Sequence, residues 1–261
     1  MILPYDYLDS LQAKGRYLFS TDEAEAALKR SATATRAALR RLKADHVIAD
    51  PMRGYHVIVP PEYRRLGCLP PDQFVPELMK RLDEPYYAAL LTAAAYHGAG
   101  HQRPQAFQVM VSKPRRPIVC GDVRVEFASR GDAQDTAVVE RNTRTGTLRI
   151  ASPAATALEA LGYINYCGGL DNVATVISEL VETIDPDELA AEAERAAVSW
   201  VQRLGYLLVL LEAEELAAVL DPVLAEKRAF LVPLAPGRSM TRRPTDRRWK
   251  LSVNTRVEPD V

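Results

Sequence analysis

Two of the chain's four histidines, His97 and His101, stand four residues apart, a spacing at which one helix face can clamp a metal ion. Gly98 and Gly100 lie between them, which works against a continuous helix, and no carboxylate falls nearby to complete a ligand set. Gly98 and Gly100 also begin a G-x-G, but Arg103 occupies the place of the third glycine that a dinucleotide loop needs. No G-x-x-x-x-G-K-[ST] phosphate loop occurs, and no serine or cysteine has a legible base partner. The acidic run "DPDE", Asp185 to Glu188, reads as a helix N-terminus, where the helix dipole favours carboxylates. The expectation is a protein without catalytic residues, metal or cofactor, and not an enzyme.

A different chemistry is concentrated in "KRSATATRAALRRLKAD". Lys29, Arg30, Arg36, Arg40, Arg41 and Lys43 precede the first acid, Asp45, in a chain whose net charge is only −1. Cations gathered on one short helix suit a polyanion, and a helix that enters the major groove does so with its N-terminal residues toward base edges. Starting that helix at Ser31 puts Thr33, Thr35 and Arg36 against bases or nearby phosphates. Arg40 and Lys43 fall to the backbone, Lys29 and Arg30 to flanking phosphates, and Arg53 to a minor groove or its phosphates; Ser31 and Arg41 complete the expected DNA-binding set. Taken alone, such a helix would be read as a solvated surface helix; its frame decides otherwise.

That frame is legible. Pro4 opens a first helix that ends near Gly15, and "RYLF" makes a short strand. Ser20 with Glu23 three residues on is a capping box for a second helix through Leu28. Ser31 caps a third helix to about Ala44, with Ala38, Leu39 and Leu42 on its apolar side. Val47-Ile48 and Val57-Ile58-Val59 then flank a turn with Pro51 and Gly54, a hairpin with Arg53 at its tip. Helix, strand, helix, helix and hairpin spell a winged helix-turn-helix over residues 1–60. Its core is expected to hold Leu8, Leu11, Leu18, Leu28, Leu39, Leu42, Ile48 and Val57.

The proline-rich "PPEYRRLGCLPPDQF" predicts a linker over 61–75, followed by a larger mixed α/β domain over 76–261. Within it the sequence predicts a helix through "PYYAALLTAAAYHG", several strands over 105–150, helices from Pro153 almost to Lys227, a loop over 233–248 and a final strand in "WKLSVNTRVE". The fold class is therefore α+β: the winged head, then a domain with a multi-stranded sheet and a helical C-terminal part. At 261 residues, 48 % of them hydrophobic, the chain has material for two real cores. The longest pure apolar run, "YLLVLL", is far too short to cross a bilayer. The opening "MILPYDYLDS" carries acids where a signal peptide needs bases. Cys68, Cys120 and Cys167 are scattered, which points to free thiols; a cytoplasmic protein with no membrane partner is expected. Acids dominate from Asp171 to Glu226 and bases from Lys227 to Lys250, so separate surfaces could meet separate partners, the acidic one mimicking nucleic acid and the basic one binding RNA.

Several stretches resemble the AbiEi-type antitoxins of bacterial type IV toxin–antitoxin systems, which join an N-terminal winged helix to an AbiEi C-terminal domain. "YYAALLTAAAYHG" is similar to that family's opening helix after the linker, and "LRIASPAATALEAL" to its strand-to-helix junction. "VQRLGYLL", "PLAP" and "RWKLSVN" are similar to its C-terminal signature, in the same order. Glu159 stands where aspartate is commoner. The resemblance implies an antitoxin that represses its own operon through double-stranded promoter DNA. It also implies a partner, a co-encoded nucleotidyltransferase toxin countered without a stable complex. That toxin's Gly-Ser and D-x-D signature is missing here. Two alternatives stay open: a stand-alone winged-helix transcriptional regulator with a ligand-sensing C-terminal domain, and an enzyme fused to a DNA-binding head. No heptad is visible, and the oligomeric state is left open.

Overall fold

The computed structural model of the protein describes residues 2–100 and 104–259. Helix α1 (Pro4–Gln12) starts on a proline, tolerated there because the first turn needs no N–H. Strand β1 (Leu18–Ser20) runs into helix α2 (Thr21–Leu28) through a reciprocal cap. The Ser20 hydroxyl accepts from the Glu23 N–H at 3.1 Å, and the Ser20 N–H donates to the Glu23 carboxylate at 2.7 Å. After a three-residue turn, Ser31 caps helix α3 (Ala32–Ala44) by accepting from the Ala34 N–H. Strands β2 (Ile48–Met52) and β3 (Tyr55–Ile58) form a hairpin whose turn closes on Gly54, at φ 84°, a conformation glycine adopts freely.

The three strands make an antiparallel sheet in the order β1-β3-β2, with Leu18 opposite Val57 and Ile48 opposite Ile58. All eight expected core residues are buried. Six of them cluster with Tyr7, Phe19, Ala24 and Ile58; Leu18 and Val57 are buried outside that cluster. Side chains alternate along a strand, so Phe19 and Ile58 face the helices while their neighbours Leu18 and Val57 face away.

That second face explains why residues 61–75 differ from the expected linker. They hold a 3₁₀ turn at Pro61–Tyr63, the fully buried Cys68 and Leu69, and the start of helix α4 (Pro71–Arg81). Pro71 sits at the first helical position, where proline helps, and Phe74, Val75, Leu78 and Met79 are wholly buried. These contacts outweigh the hydrogen bond forfeited at Pro76. Helix α4 packs on β1, so the prolines open a helix where they were read as excluding one.

Strand β4 (Tyr86–Ala88) and helix α5 (Leu90–Tyr96) replace the single helix expected from Pro85. Ala88 pairs in parallel with Ile150, and the chain turns at Leu90, whose φ is 54°. Strands β5 (Phe107–Val111), β6 (Ile118–Cys120), β7 (Val123–Ser129), β8 (Val138–Thr143) and β9 (Gly146–Ala151) follow. The six-stranded sheet is ordered β6-β7-β5-β4-β9-β8, with β5 parallel and β6 antiparallel to β7. Helices α6 (Pro153–Gly162), α7 (Leu170–Leu180), α8 (Pro186–Arg195), α9 (Val198–Leu210) and α10 (Glu214–Glu226) come next. A small sheet of β10 (Val232–Pro233), β11 (Thr245–Asp246) and β12 (Leu251–Ser252) ends the chain, so the expected final strand is only two residues long. The class is α+β.

Two units divide these contacts: residues 1–87, 105–134 and 140–149 form one, and 88–104, 135–139 and 150–261 the other. In the second, both tryptophans lie on helix glycines: a Cβ at Gly205 would fall 2.1 Å from the Trp249 ring, and one at Gly162 2.2 Å from Trp200. Gln202 donates to the carbonyls of Phe230, Trp249 and Lys250, tying the terminal sheet to α9.

In the first unit, Glu23 joins three elements. Besides capping α2 it accepts from Arg16 at 2.5 Å and from Arg81 of α4 at 2.7 Å. Burial alone would raise its carboxyl, but the bonds from Arg81, the Ser20 N–H and Arg16 hold it down at about 2, against an ordinary 4.5. A depressed carboxyl stabilises the fold above its unfolded pKa and loses that contribution as pH falls through the folded one. Glu23→Gln should therefore cost about 1–2 kcal/mol at pH 7, less than full linkage because the side chain is about one-third exposed. Urea unfolding should show the gap to wild type closing as pH falls from 4.5 towards 2.

Candidate nucleic-acid interface

Helix α3 is oriented by its buried stripe. Thr35, Ala38, Leu39 and Leu42, at i, i+3, i+4 and i+7, are all buried. Thr35, expected to face bases, belongs to this stripe. It is fully buried, and its hydroxyl has no hydrogen-bond partner. The spacing that selects Ala38 and Leu42 selects Thr35 equally, a signal present in the sequence. Thr33 and Arg40 stand on the opposite side and are exposed, as are Ser31, Arg36, Arg41 and Lys43.

Lys29 and Arg30 occupy the turn before Ser31. Lys29 is exposed and ends α2 in the left-handed region at φ 50°; Arg30 is half-buried. Arg53 is exposed at the hairpin tip. Among the described residues Lys29, Arg30, Arg40, Arg41 and Arg53 form no ion pair, so their charge stays with solvent. Arg36 has a loose contact with Glu25 at 3.9 Å, its side chain 69 % exposed and free to leave it.

Lys43 is differently placed. Its Nζ lies 2.6 Å from Asp50 of β2, whose other oxygen meets His56 Nδ1 at 2.7 Å. His56 Nε2 in turn lies 2.9 Å from the Thr21 hydroxyl, and its ring packs on Phe19. Burial would raise the Asp50 carboxyl, but the bonds from Lys43 and His56 bring it below its usual range. Asp50 and His56 were not singled out in the sequence. A β-bulge between Ala49 and Met52 aims Asp50 at α3, and no local pattern announces it.

The other sequence candidates resolve differently. His97 Nε2 is bonded to the Ala151 carbonyl at 2.7 Å; His101 and Arg103 lie outside the described residues. Among the described residues no group of three or more His, Cys, Asp or Glu could hold a metal ion. Asp185 does cap α8, accepting from the Glu188 N–H. In the basic block, Arg248 is paired with Glu214 and Asp221 and lies over Trp249, while Lys227 donates to the Glu194 and Ala196 carbonyls. These cations are occupied by their own unit, whereas Arg242, Arg243 and Arg247 are exposed. No helix among the described residues is long and apolar enough to cross a membrane.

Comparison with known proteins then bears on the chain. Residues 87–210 match the AbiEi antitoxin C-terminal domain. The match spans β4 to the last turn of α9 and takes in three of the stretches that resemble the AbiEi family, "YYAALLTAAAYHG" from its second residue, "LRIASPAATALEAL" and "VQRLGYLL", while "PLAP" and "RWKLSVN" lie beyond it. This family is regulatory and non-catalytic, and the match supports an antitoxin role in a toxin–antitoxin system. The crystal structure of the RV2827C protein from Mycobacterium tuberculosis is similar in fold, with a TM-score of 0.66 at 15% identity. The alignment covers 94% of this chain and 89% of that one. No curated protein matches the sequence.

Because its hydroxyl is buried without a partner, Thr35→Val should raise the free energy of unfolding by about 1 kcal/mol and leave nucleic-acid affinity unchanged. Denaturant titration and gel shift together check this. Asp50→Asn should release Lys43 from its carboxylate and, were α3 to dock on a duplex, tighten that docking at low salt, read in the same gel-shift assay.

Proposed function

We propose that the protein is the antitoxin of a type IV toxin–antitoxin pair and binds the promoter of its own operon. In this reading residues 1–60 are a winged helix-turn-helix head, with α3 the recognition helix and the β2–β3 hairpin the wing, and residues 76–261 carry the antitoxin domain. The observation that carries the DNA reading is the set of unpaired cations, Arg40 and Arg41 on α3 and Arg53 on the hairpin, within the frame of three helices and a three-stranded sheet. The observation that carries the antitoxin reading is the family match over residues 87–210. The resemblance to that family makes the toxin a nucleotidyltransferase, countered without a lasting complex, in the cytoplasm.

Mechanistically, Ser31, Thr33 and Arg36 on the first turns of α3 would approach base edges. Arg40, Arg41, Lys29 and Arg30 would neutralise phosphates, and Lys43 would exchange Asp50 for a phosphate as it docked. Each phosphate so neutralised adds about −0.9 to the slope of log affinity against log salt. Arg36→Ala should cost about 1–3 kcal/mol and relax sequence preference, whereas Lys43→Ala should weaken all sequences alike. Gel shifts on the protein's own promoter at several salt concentrations measure both. If an Arg36→Ala/Arg40→Ala variant bound that promoter as tightly as wild type, α3 would not be the recognition helix. Co-expression with the adjacent transferase separates the two roles. The same variant should still protect cells, and loss of protection by a folded variant would place neutralisation in the head.

A further inference from the structure

The end of helix α6 and the turn after it, the start of α7, Arg203 of α9 and the loop after β10 line a partly open cavity of about 470 Å³ in the second unit. Its charged lining is unusual. Arg203 of α9 is only 7 % exposed, yet among the described residues no carboxylate pairs with it. Its Nε donates to the carbonyls of Pro233 and Leu234 at 3.2 and 3.1 Å, and Nη2 donates to Pro233 at 3.1 Å. Nη1 makes no hydrogen bond among the described residues, on a guanidinium that lines the cavity. Carbonyl dipoles satisfy donors but do not cancel a charge, and burying an uncompensated cation is costly. Burial correspondingly pulls its pKa below the usual arginine value.

Three further features converge on the same space. Arg238 lines the rim, with Nη1 bonded to the Thr255 hydroxyl at 2.7 Å. Helix α7 begins at the cavity on Gly169, with no side-chain cap, so the positive end of its dipole points there. Opposing these is Asp171 in the first turn of α7, whose carboxylate accepts from the Glu258 N–H at 3.1 Å. Two guanidiniums against one carboxylate leave room for a single negative charge. The remaining wall mixes polar groups, Asn165 and Thr255, with apolar and aromatic ones. Leu161, Ile164 and Leu170 line it, with Tyr163 and Tyr166 meeting edge to face at 6.1 Å. A cavity of this volume lined by apolar groups and a few convergent polar ones is the form small-molecule sites take.

We infer that this cavity is a binding site for a small aromatic monocarboxylate, its carboxylate held between Arg203 and Arg238 and its ring laid against Tyr163 and Tyr166. Guanidinium geometry favours an oxyanion with two acceptors, and the two tyrosine rings, set edge to face, supply an aromatic corner against which a flat ring can lie. The site is built wholly from residues of the second unit and α3 belongs to the first, so its fate is independent of the DNA reading.

The test is isothermal titration of the full chain with three probes: 2-naphthoate, the neutral 2-naphthamide, and acetate. Saturable one-to-one binding of 2-naphthoate, at least tenfold tighter than either control, is the expected result. Arg238→Ala and Tyr166→Ala replace exposed side chains and should fold, and each should weaken 2-naphthoate at least fivefold. Arg203→Lys, which keeps the charge but loses the fork, should do the same. Absence of binding by 2-naphthoate at millimolar concentration and low salt would overturn the inference. So would 2-naphthamide binding equally well, or unchanged affinity in both Arg238→Ala and Tyr166→Ala.

Discussion

The surface of α3 is decided by what the helix must hide. Thr35, Ala38, Leu39 and Leu42 lie against the head's core, and each leucine contributes about 1.5–3 kcal/mol by leaving water. Once that stripe is fixed, the helical period places Thr33 and Arg40 outward and sets Arg36 and Lys43 on one shoulder and Arg41 on the other. The cations are thus presented by hydrophobic burial, and nothing electrostatic is required to hold them there. The two on the shared shoulder find carboxylates, Glu25 and Asp50, while Arg40 and Arg41 do not. Charge on this helix is graded from fully available to already engaged.

Much of this was legible in the sequence because the head is built from local signals. The capping box at Ser20 and Glu23, the Ser31 cap, the Pro51–Gly54 turn and the apolar spacing each depend on residues a few positions apart, and each element stands where those signals put it. The misreadings share a cause. Thr35 was assigned by its place in the first turns of α3 when its position in the buried stripe governs. Pro71 was taken as a breaker although a first helical position suits it. Tyr86–Ala88 has too short a run to declare itself a strand, and only pairing of Ala88 with Ile150, sixty-odd residues on, makes it one. The Lys43–Asp50–His56–Thr21 chain depends on a bulge and on three elements meeting, and no window of sequence contains it.

The second unit handles charge by another route. Gln202 and Arg203, adjacent on α9, both spend their donors on main-chain carbonyls of the C-terminal segment. Arg248 turns to Glu214 and Asp221 of α10, so sign blocks that look like two separate surfaces in the sequence partly cancel within one unit. Arg203 differs in being buried with no carboxylate partner among the described residues.

Leu18 and Val57, buried on the side of the small sheet away from the head's helices, carry one more consequence. Helix α4 packs on β1 and strand β6 on β2, and Arg81 reaches back to Glu23. Sixty residues cut out and grafted onto a foreign chain would bare two aliphatic side chains and leave an acid short of one of its two arginines. The head is therefore no interchangeable cartridge. Any change in what the outward face of α3 contacts must be made by rewriting its residues in place, because whole-module exchange would have to bring α4 along.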